Sequence, residues 1–231
     1  MDGRAAYRCA MSQLHLLRVF CAEDGSGGNR LAVFADGADI PPDRRQAVAA
    51  DLNLSETVFV DDRASGSIRI FTPAEELNFA GHPSVGTAWL LGDVDTLRPP
   101  AGDVPVRRDS DDVYVTARPE WGPPWPLLEL GGPEEVEALD GPPGGADLVV
   151  AWAWIDEDRG TIRARAFGDR IGIPEDEATG SAATKLCDQA GRPVEIAQGR
   201  GSRIVARPAA GELVEIGGRS ALDDVRDYAL S

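Results

Sequence analysis

The stretch from Phe71 to Leu91, FTPAEELNFAGHPSVGTAWLL, decides the fold. It is entered through Ser67-Ile68-Arg69-Ile70-Phe71, whose alternating apolar residues read as a strand. The chain turns at Thr72-Pro73, returns through Leu77 and Phe79, and reaches Ala80-Gly81-His82-Pro83. Val85, Ala88, Trp89 and Leu91 then follow in a helical pattern. Proline suits the first turn of a helix, where its missing N–H has no partner to lose. Gly81 and His82 are therefore expected at a helix N-terminus. Free N–H groups and the positive end of the helix dipole make such a terminus an anion site, and a histidine there is a candidate for chemistry.

A second stretch, Phe167 to Leu186, FGDRIGIPEDEATGSAATKL, echoes the first about a hundred residues later. With Gly81-His82 aligned on Gly180-Ser181, each has an extended lead-in, an acidic residue (Glu76, Asp176), a small residue with glycine, a polar residue and an alanine-containing helix. Two such turns point to two similar lobes whose helix N-termini face each other and hold a carboxylate from both sides. Spacing alone is met equally well by two ordinary helix starts.

The rest of the chain fits an α+β protein. Leu14 to Phe20 reads as a strand, Asp24 to Asn29 as a glycine-rich turn, and Leu31 to Phe34 as a second strand. The turn lacks both the Lys-Ser/Thr of a P-loop and dinucleotide-binding spacing. Pro41 to Asn53 is helical, with Val48, Ala49 and Leu52 inward and Arg44 and Arg45 outward. Glu56 to Val60 is a strand opened by a carboxylate. A strand-end glutamate near a cleft can have its pKa raised by burial and act as a general base, although most strand-end glutamates are solvated. Val104 to Arg107 and Asp112 to Val115 suit a small sheet, and PEWGPPWP (Pro119 to Pro126) is the best linker. Leu127 to Leu130 and Glu134 to Leu139 read as strand and short helix. Leu148 to Ile155 is an apolar strand paired with Thr161 to Phe167 through a hairpin turn. Val194 to Ile196, Arg203 to Val205 and Leu213 to Ile216 close the chain as antiparallel strands. Hairpin-dominated sheets with one main helix in each half define the fold class.

Composition narrows the partners. A chain of 231 residues, 42% of them hydrophobic, can build one large or two small cores. A formal charge of −16 opposes a nucleic-acid partner, since phosphate binding needs a basic face. Three cysteines (Cys9, Cys21, Cys187) without metal spacing and only two histidines make a zinc site unexpected. No apolar run approaches the roughly 20 residues that span a bilayer. The opening MDGRAAYRCA has no long apolar core of a secretory signal. A cytoplasmic protein with no membrane partner is expected, and the strand pattern beginning at Ser12 leaves 1–11 as a flexible tail.

Several of these stretches together resemble the PhzF-like family of phenazine-biosynthesis-type isomerases, which shares the diaminopimelate epimerase fold. The resemblance rests on Gly28-Asn29, Ser55-Glu56-Thr57 with Val58-Phe59-Val60, Phe71-Thr72-Pro73, Phe79-Ala80-Gly81-His82-Pro83, Gly172-Ile173-Pro174-Glu175-Asp176, Ala178-Thr179-Gly180-Ser181-Ala182 and Gln198-Gly199. It runs from Leu14 to Gly218, nearly the whole chain. It implies two lobes, 12–118 and 119–231, each a mostly antiparallel sheet wrapped around a central helix, with the active site between them. It also implies a cofactor-free and metal-free enzyme that is often a homodimer.

By the same resemblance Glu56 matches the acid/base glutamate, His82 the histidine beside the substrate, and Asp176 the aspartate opposite. Gly81, Gly180 and Ser181 match the turns that take the substrate carboxylate, and Asn29 a substrate-binding position. The implied activity is an isomerase that shifts a proton, and with it a double bond, in a small unsaturated carboxylic or amino acid. Glu56 is the expected base, because the dipole of the helix starting just after Asp176 should favour its charged form and lower its basicity. His82 at its helix N-terminus should act as a neutral partner.

The chain departs from the family at Arg30 and Glu177, where the pattern has proline, and it is short for the family. Solvent exposure is the expectation for Arg30. A racemase or epimerase is the nearest alternative, but that branch uses a cysteine at each helix start, where this chain has His82 and Ser181. A small-molecule binding protein with an inactive cleft is the alternative from another class.

Overall fold

One succession of elements occurs twice along the chain, which the computed structural model describes over residues 11–230. After β1 (Met11–Cys21), the first run is β2 (Asn29–Phe34), α1 (Pro42–Leu52), β3 (Glu56–Asp62), β4 (Ser67–Phe71), β5 (Glu76–Leu77) and α2 (Gly81–Leu91). β6 (Thr96–Leu97), β7 (Val104–Asp109) and β8 (Asp112–Ala117) lead to the second run. That run is β9 (Leu127–Glu129), α3 (Pro133–Glu137), β10 (Val149–Asp156), β11 (Thr161–Gly168), β12 (Ile173–Asp176) and α4 (Gly180–Ala190). β13 (Val194–Gln198), β14 (Ser202–Ala209) and β15 (Leu213–Ala229) close the chain.

In each run the first helix joins two parallel strands, β2 to β3 and β9 to β10. An antiparallel hairpin follows, β3–β4 and β10–β11, and a short strand adds antiparallel to it, β5 on β4 and β12 on β11. Each run ends in a helix buried on most sides. α2 buries nine of its eleven residues, from Gly81 through Ala88 and Leu91, and α4 buries Gly180 to Thr184, Leu186 and Cys187. A helix enclosed this way needs small or apolar residues all round, which GHPSVGTAWLL supplies.

The strands form one continuous sheet in the order β5-β4-β3-β2-β1-β15-β14-β13-β11-β10-β9, with β8 on β15. The fold is the mixed, mostly antiparallel α+β architecture expected, with a central helix in each half. A single core joins Val85, Ala88 and Leu91 of α2 to Ala182, Leu186 and Cys187 of α4 through Val115, Ile204 and Ile216. Each fully buried aliphatic side chain there contributes about 1.5–3 kcal/mol. A second cluster, with Leu14, Phe34, Ile40, Val48 and Phe59, lies under α1. Among the described residues no helix is long and apolar enough to cross a membrane.

Four local expectations need correction. First, β15 does not stop at Ile216 but runs 17 residues to Ala229. Its first part pairs with β8 and β14, and its second part with β1, so the last strand spans both halves. Second, β7 and β8 join the main sheet through β15 instead of forming a separate one. Third, Arg45 points inward. Its Nη2 lies 2.6 Å from Asp61 Oδ1, it donates to the carbonyls of Ile40 and Gly37, and its guanidinium lies 5.3 Å from the centre of the Phe59 ring. Fourth, Met11 already belongs to β1; the rest of the expected tail, Cys9 included, lies outside the described residues.

Candidate active site

The two central helices meet at their N-termini. A Cβ built on Gly81 would lie 3.1 Å from Gly180 Cα, and one on Gly180 would lie 2.9 Å from His82 N. Any side chain at either position would force the helix starts apart, so the Gly-His and Gly-Ser pairs are what bring them together. Neither helix has a side-chain cap or an acidic residue in its first turn. The positive ends of both dipoles therefore act on the same small volume.

Three titratable side chains enter that volume. Asn53 ends α1 in the left-handed conformation (φ 48°) that asparagine tolerates well, and three residues later β3 begins with Glu56. The Glu56 carboxylate is largely buried, with Oε2 3.0 Å from Nδ1 of His82, which is itself 3% exposed. His82 Nε2 is buried without a hydrogen-bond partner among the described residues. Such an orphaned atom is costly in a folded interior and is one that a polar ligand can satisfy.

Asp176, the last residue of β12, comes from the other half. Its carboxylate accepts hydrogen bonds from Asn29 Nδ2 (2.6 Å) and Thr179 Oγ1 (2.7 Å). Even so its pKa is pushed up to about 6, first by burial and then by the negative charge of Glu56; His82 and the two hydrogen bonds oppose the rise. The lowering of Asp176 expected from the dipole of the following helix is outweighed by desolvation.

The Asp176 carboxylate is held within a hydrogen-bond network. Asn29 also donates to Ala178 O (3.0 Å) and accepts from Ser55 Oγ (3.1 Å), so it bridges the neighbour of Glu56 to the turn before α4. Gln198 Nε2 donates to Asp176 O and Thr179 Oγ1, and Gln198 Oε1 accepts from Thr179 N. The Asn29 amide is thus fully engaged with protein groups.

Ser181 accepts a hydrogen bond from Trp125 Nε1 (3.0 Å). Gly122 packs so closely that a Cβ there would meet Ser181 Cβ at 2.5 Å. The stretch expected to be a linker is therefore a wall of the site, with Trp121 edge-on to Phe79. Its density of tryptophan and proline was the available signal. Glu76, the acidic half of the internal echo, is not in the site: it is paired with Arg69 on the surface.

A groove of about 510 Å³ opens onto Asn29, Ser55 and Asp176. Arg30 stands at its mouth, exposed as expected. Glu177 is half-buried instead, with Oε1 accepting from Arg200 N (2.7 Å) and Ser202 Oγ (3.0 Å). Neither described cysteine sits at a helix start. Burial pushes the Cys187 thiol up to about 12 and also raises Cys21, so neither supplies a thiolate near neutral pH.

Paired helix N-termini over two carboxyl groups and an imidazole are an arrangement suited to acid/base chemistry of the isomerase and epimerase class. The comparisons carry this further. The profile of phenazine biosynthesis-like proteins matches residues 17–124. A trans-2,3-dihydro-3-hydroxyanthranilate isomerase of Pseudomonas aeruginosa is 33% identical over 253 aligned residues, covering 84% of this chain and 91% of the relative. The structure of a phenazine biosynthesis protein of the PhzF family from Bacillus anthracis superposes with a TM-score of 0.78 over 95% of this chain and 99% of its own, at 15% identity, which speaks to the fold. A predicted epimerase from Pseudomonas aeruginosa gives 0.69 over 95% and 100%, at 28% identity. The chain belongs to the phenazine biosynthesis-like protein family, and it is an isomerase.

Proposed function

We propose that this isomerase moves a proton within a small unsaturated carboxylic or amino acid, with Glu56 as the group that takes and returns it. One observation carries the reading. Glu56 and Asp176 share a buried junction at two uncapped helix starts, close enough that the charge of Glu56 raises Asp176. In this reading Gly81, Gly180 and Ser181 present N–H groups to the substrate carboxylate, and those dipoles stabilise the charge that develops when the neighbouring carbon loses its proton. Glu56 returns the proton to another carbon on the same face. His82 faces Glu56 as its neutral partner, Asp176 holds the opposite side, and Asn29 positions Asp176. No cofactor or metal enters the scheme.

The reading takes 12–118 and 119–231 as the two lobes, supported by the repeated run of elements. A cytoplasmic location fits the free thiols of Cys21 and Cys187. A role in secondary metabolism fits the name of the Pseudomonas relative. A homodimer fits the exposed Leu222 and Val225 on β15, and sedimentation analysis tests it.

The test of function is proton exchange. The protein is incubated in D₂O with trans-2,3-dihydro-3-hydroxyanthranilate, the compound named for the relative, and with a panel of small unsaturated acids, and deuterium incorporation is followed by NMR. Incorporation into one carbon with a shifted double bond supports the proposal. Inversion at one carbon without a shift supports an epimerase. Ligands that bind without exchange would make the cleft a binding site.

A further inference from the structure

The surface groove that reaches Asp176 holds positive charge that the fold itself does not use. The groove onto Asp176 is lined by the charged residues Arg18, Arg30, Glu175, Asp176, Glu177 and Arg200. The acids among them are engaged. Glu175 accepts two hydrogen bonds from Arg165, at 2.7 and 2.8 Å. Glu177 holds the turn at Arg200 N and Ser202 Oγ, and Asp176 accepts from Asn29 and Thr179. Arg18 is engaged too, by Asp223 and by the carbonyls of Gly25 and Gly27.

Arg30 and Arg200 differ. Among the described residues neither guanidinium makes an ion pair or a hydrogen bond, although the field of Arg200 reaches the already paired Glu175. Arg30 lies directly opposite Arg18 in the β1–β2 register. Like charges in that position repel, and a bound anion would relieve the repulsion. The loops carrying the two arginines are tied together: Ser202 Oγ accepts from Gly28 N (2.9 Å) while donating to Glu177. The mouth is thus a braced pair of free cations in a chain of net charge −16.

We propose that Arg30 and Arg200 bind a second anionic group of the substrate, so that the enzyme acts on a small unsaturated acid carrying two anionic groups. One is held at the helix starts and the other at the mouth, with Glu177 as the residue that positions Arg200. This rests on the cleft being the carboxylate site argued above.

Calorimetric titration with paired probes tests it: benzoate against isophthalate, and crotonate against glutaconate. The quantity read is the affinity ratio of diacid to monoacid. In the wild type the ratio is expected to be about tenfold, the order of two exposed ion pairs, and to shrink as salt is added. In Arg30→Gln/Arg200→Gln it should fall to about one. In Arg30→Lys/Arg200→Lys, which keeps the charge, most of it should remain. Both side chains are exposed, so these variants keep the fold. Binding of mono- and diacids with equal affinity by the wild type, or an unchanged ratio in the glutamine variant, overturns the second anion subsite and leaves the carboxylate site standing. Failure of all four acids to bind overturns both.

Discussion

Replacing Glu56 by glutamine keeps the shape of the side chain and removes its charge, and two separate readouts should move. The first is chemistry. Loss of a general base commonly costs about 10²- to 10⁴-fold in rate, or roughly 3–5 kcal/mol of barrier, whereas binding of a carboxylate at the helix starts does not require the Glu56 charge. Deuterium incorporation should therefore collapse while carboxylate binding persists or tightens, since the Glu56 charge no longer repels the ligand. The second readout is the titration of Asp176. Burial and the Glu56 charge together lift it from 3.8 to about 6. With the charge gone only burial lifts it, against His82, Asn29 and Thr179, so the Asp176 carboxyl should titrate below 6. Carbon-13 NMR of aspartate-labelled protein follows the titration directly. Turnover of Glu56→Gln at the wild-type rate, with Asp176→Asn inactive, would assign the base to Asp176. An Asp176 titration that stays near 6 in the variant would refute the electrostatic coupling on which the site reading rests.

Three further outcomes follow from the same geometry. An acid whose folded pKa lies above its unfolded value holds its proton more tightly when folded, so its contribution to stability is lost as pH rises. For Asp176, going from 3.8 to about 6, this amounts to about 3 kcal/mol between pH 4 and pH 6. The wild-type minus Asp176→Asn difference in urea stability should fall over that window, and a flat difference contradicts it. Asn29→Ala removes a donor that lowers Asp176 and strips three hydrogen bonds from the junction. Asp176 should then titrate above its wild-type value by NMR, and stability should drop by about 2–3 kcal/mol. Arg45→Met leaves Asp61 and two carbonyls without their partner and should cost about 2–4 kcal/mol in denaturant unfolding; a change under 0.5 kcal/mol would restore the outward reading of Arg45.

The parts of the fold legible in the sequence were those fixed by local chemistry. Gly-His-Pro and Gly-Ser-Ala mark helix starts because few other residues suit that backbone and that crowding, and β3, β4, β10 and β11 carry plain strand patterns. The second half of β15 was not legible. Leu222 to Ala229 is mostly exposed on both faces, so no alternation records that it is a strand, and its pairing with β1 is a matter of tertiary register. Arg45 misled for the complementary reason: a charged residue on a helix reads as outward unless its partner is known, and Asp61 lies far along the chain. The site was legible as a set of residues but not as a balance of energies. Asp176 was recognisable from its motif, whereas its basicity is set by burial and the Glu56 charge working against His82, Asn29 and Thr179, which only the folded chain brings together. Trp125 and Gly122 escaped because a Pro- and Trp-rich stretch reads as a linker until Ser181 is seen beneath it.

Two carboxyl groups in one buried junction differ in what they can do when their surroundings differ. Asp176, at about 6, is ionised roughly ten to one at pH 7 and lies within reach of a proton at little cost. A carboxylate ligand arriving at the helix starts brings another negative charge beside Glu56 and Asp176. The cheapest way to accommodate it is to protonate the carboxyl whose pKa is already raised, because Coulomb repulsion in a buried site greatly exceeds that in water. Binding should therefore take up close to one proton above pH 6. Benzoate, ionised throughout, should bind up to tenfold more tightly for each unit by which pH falls from 8 toward 6, and calorimetry in buffers of different ionisation enthalpy should show the proton uptake. In Asp176→Asn both effects should disappear, since the group that takes the proton is gone. Affinity independent of pH in the wild type would mean that the ligand does not approach the carboxyl pair, and the helix starts would then not be where the substrate carboxylate sits.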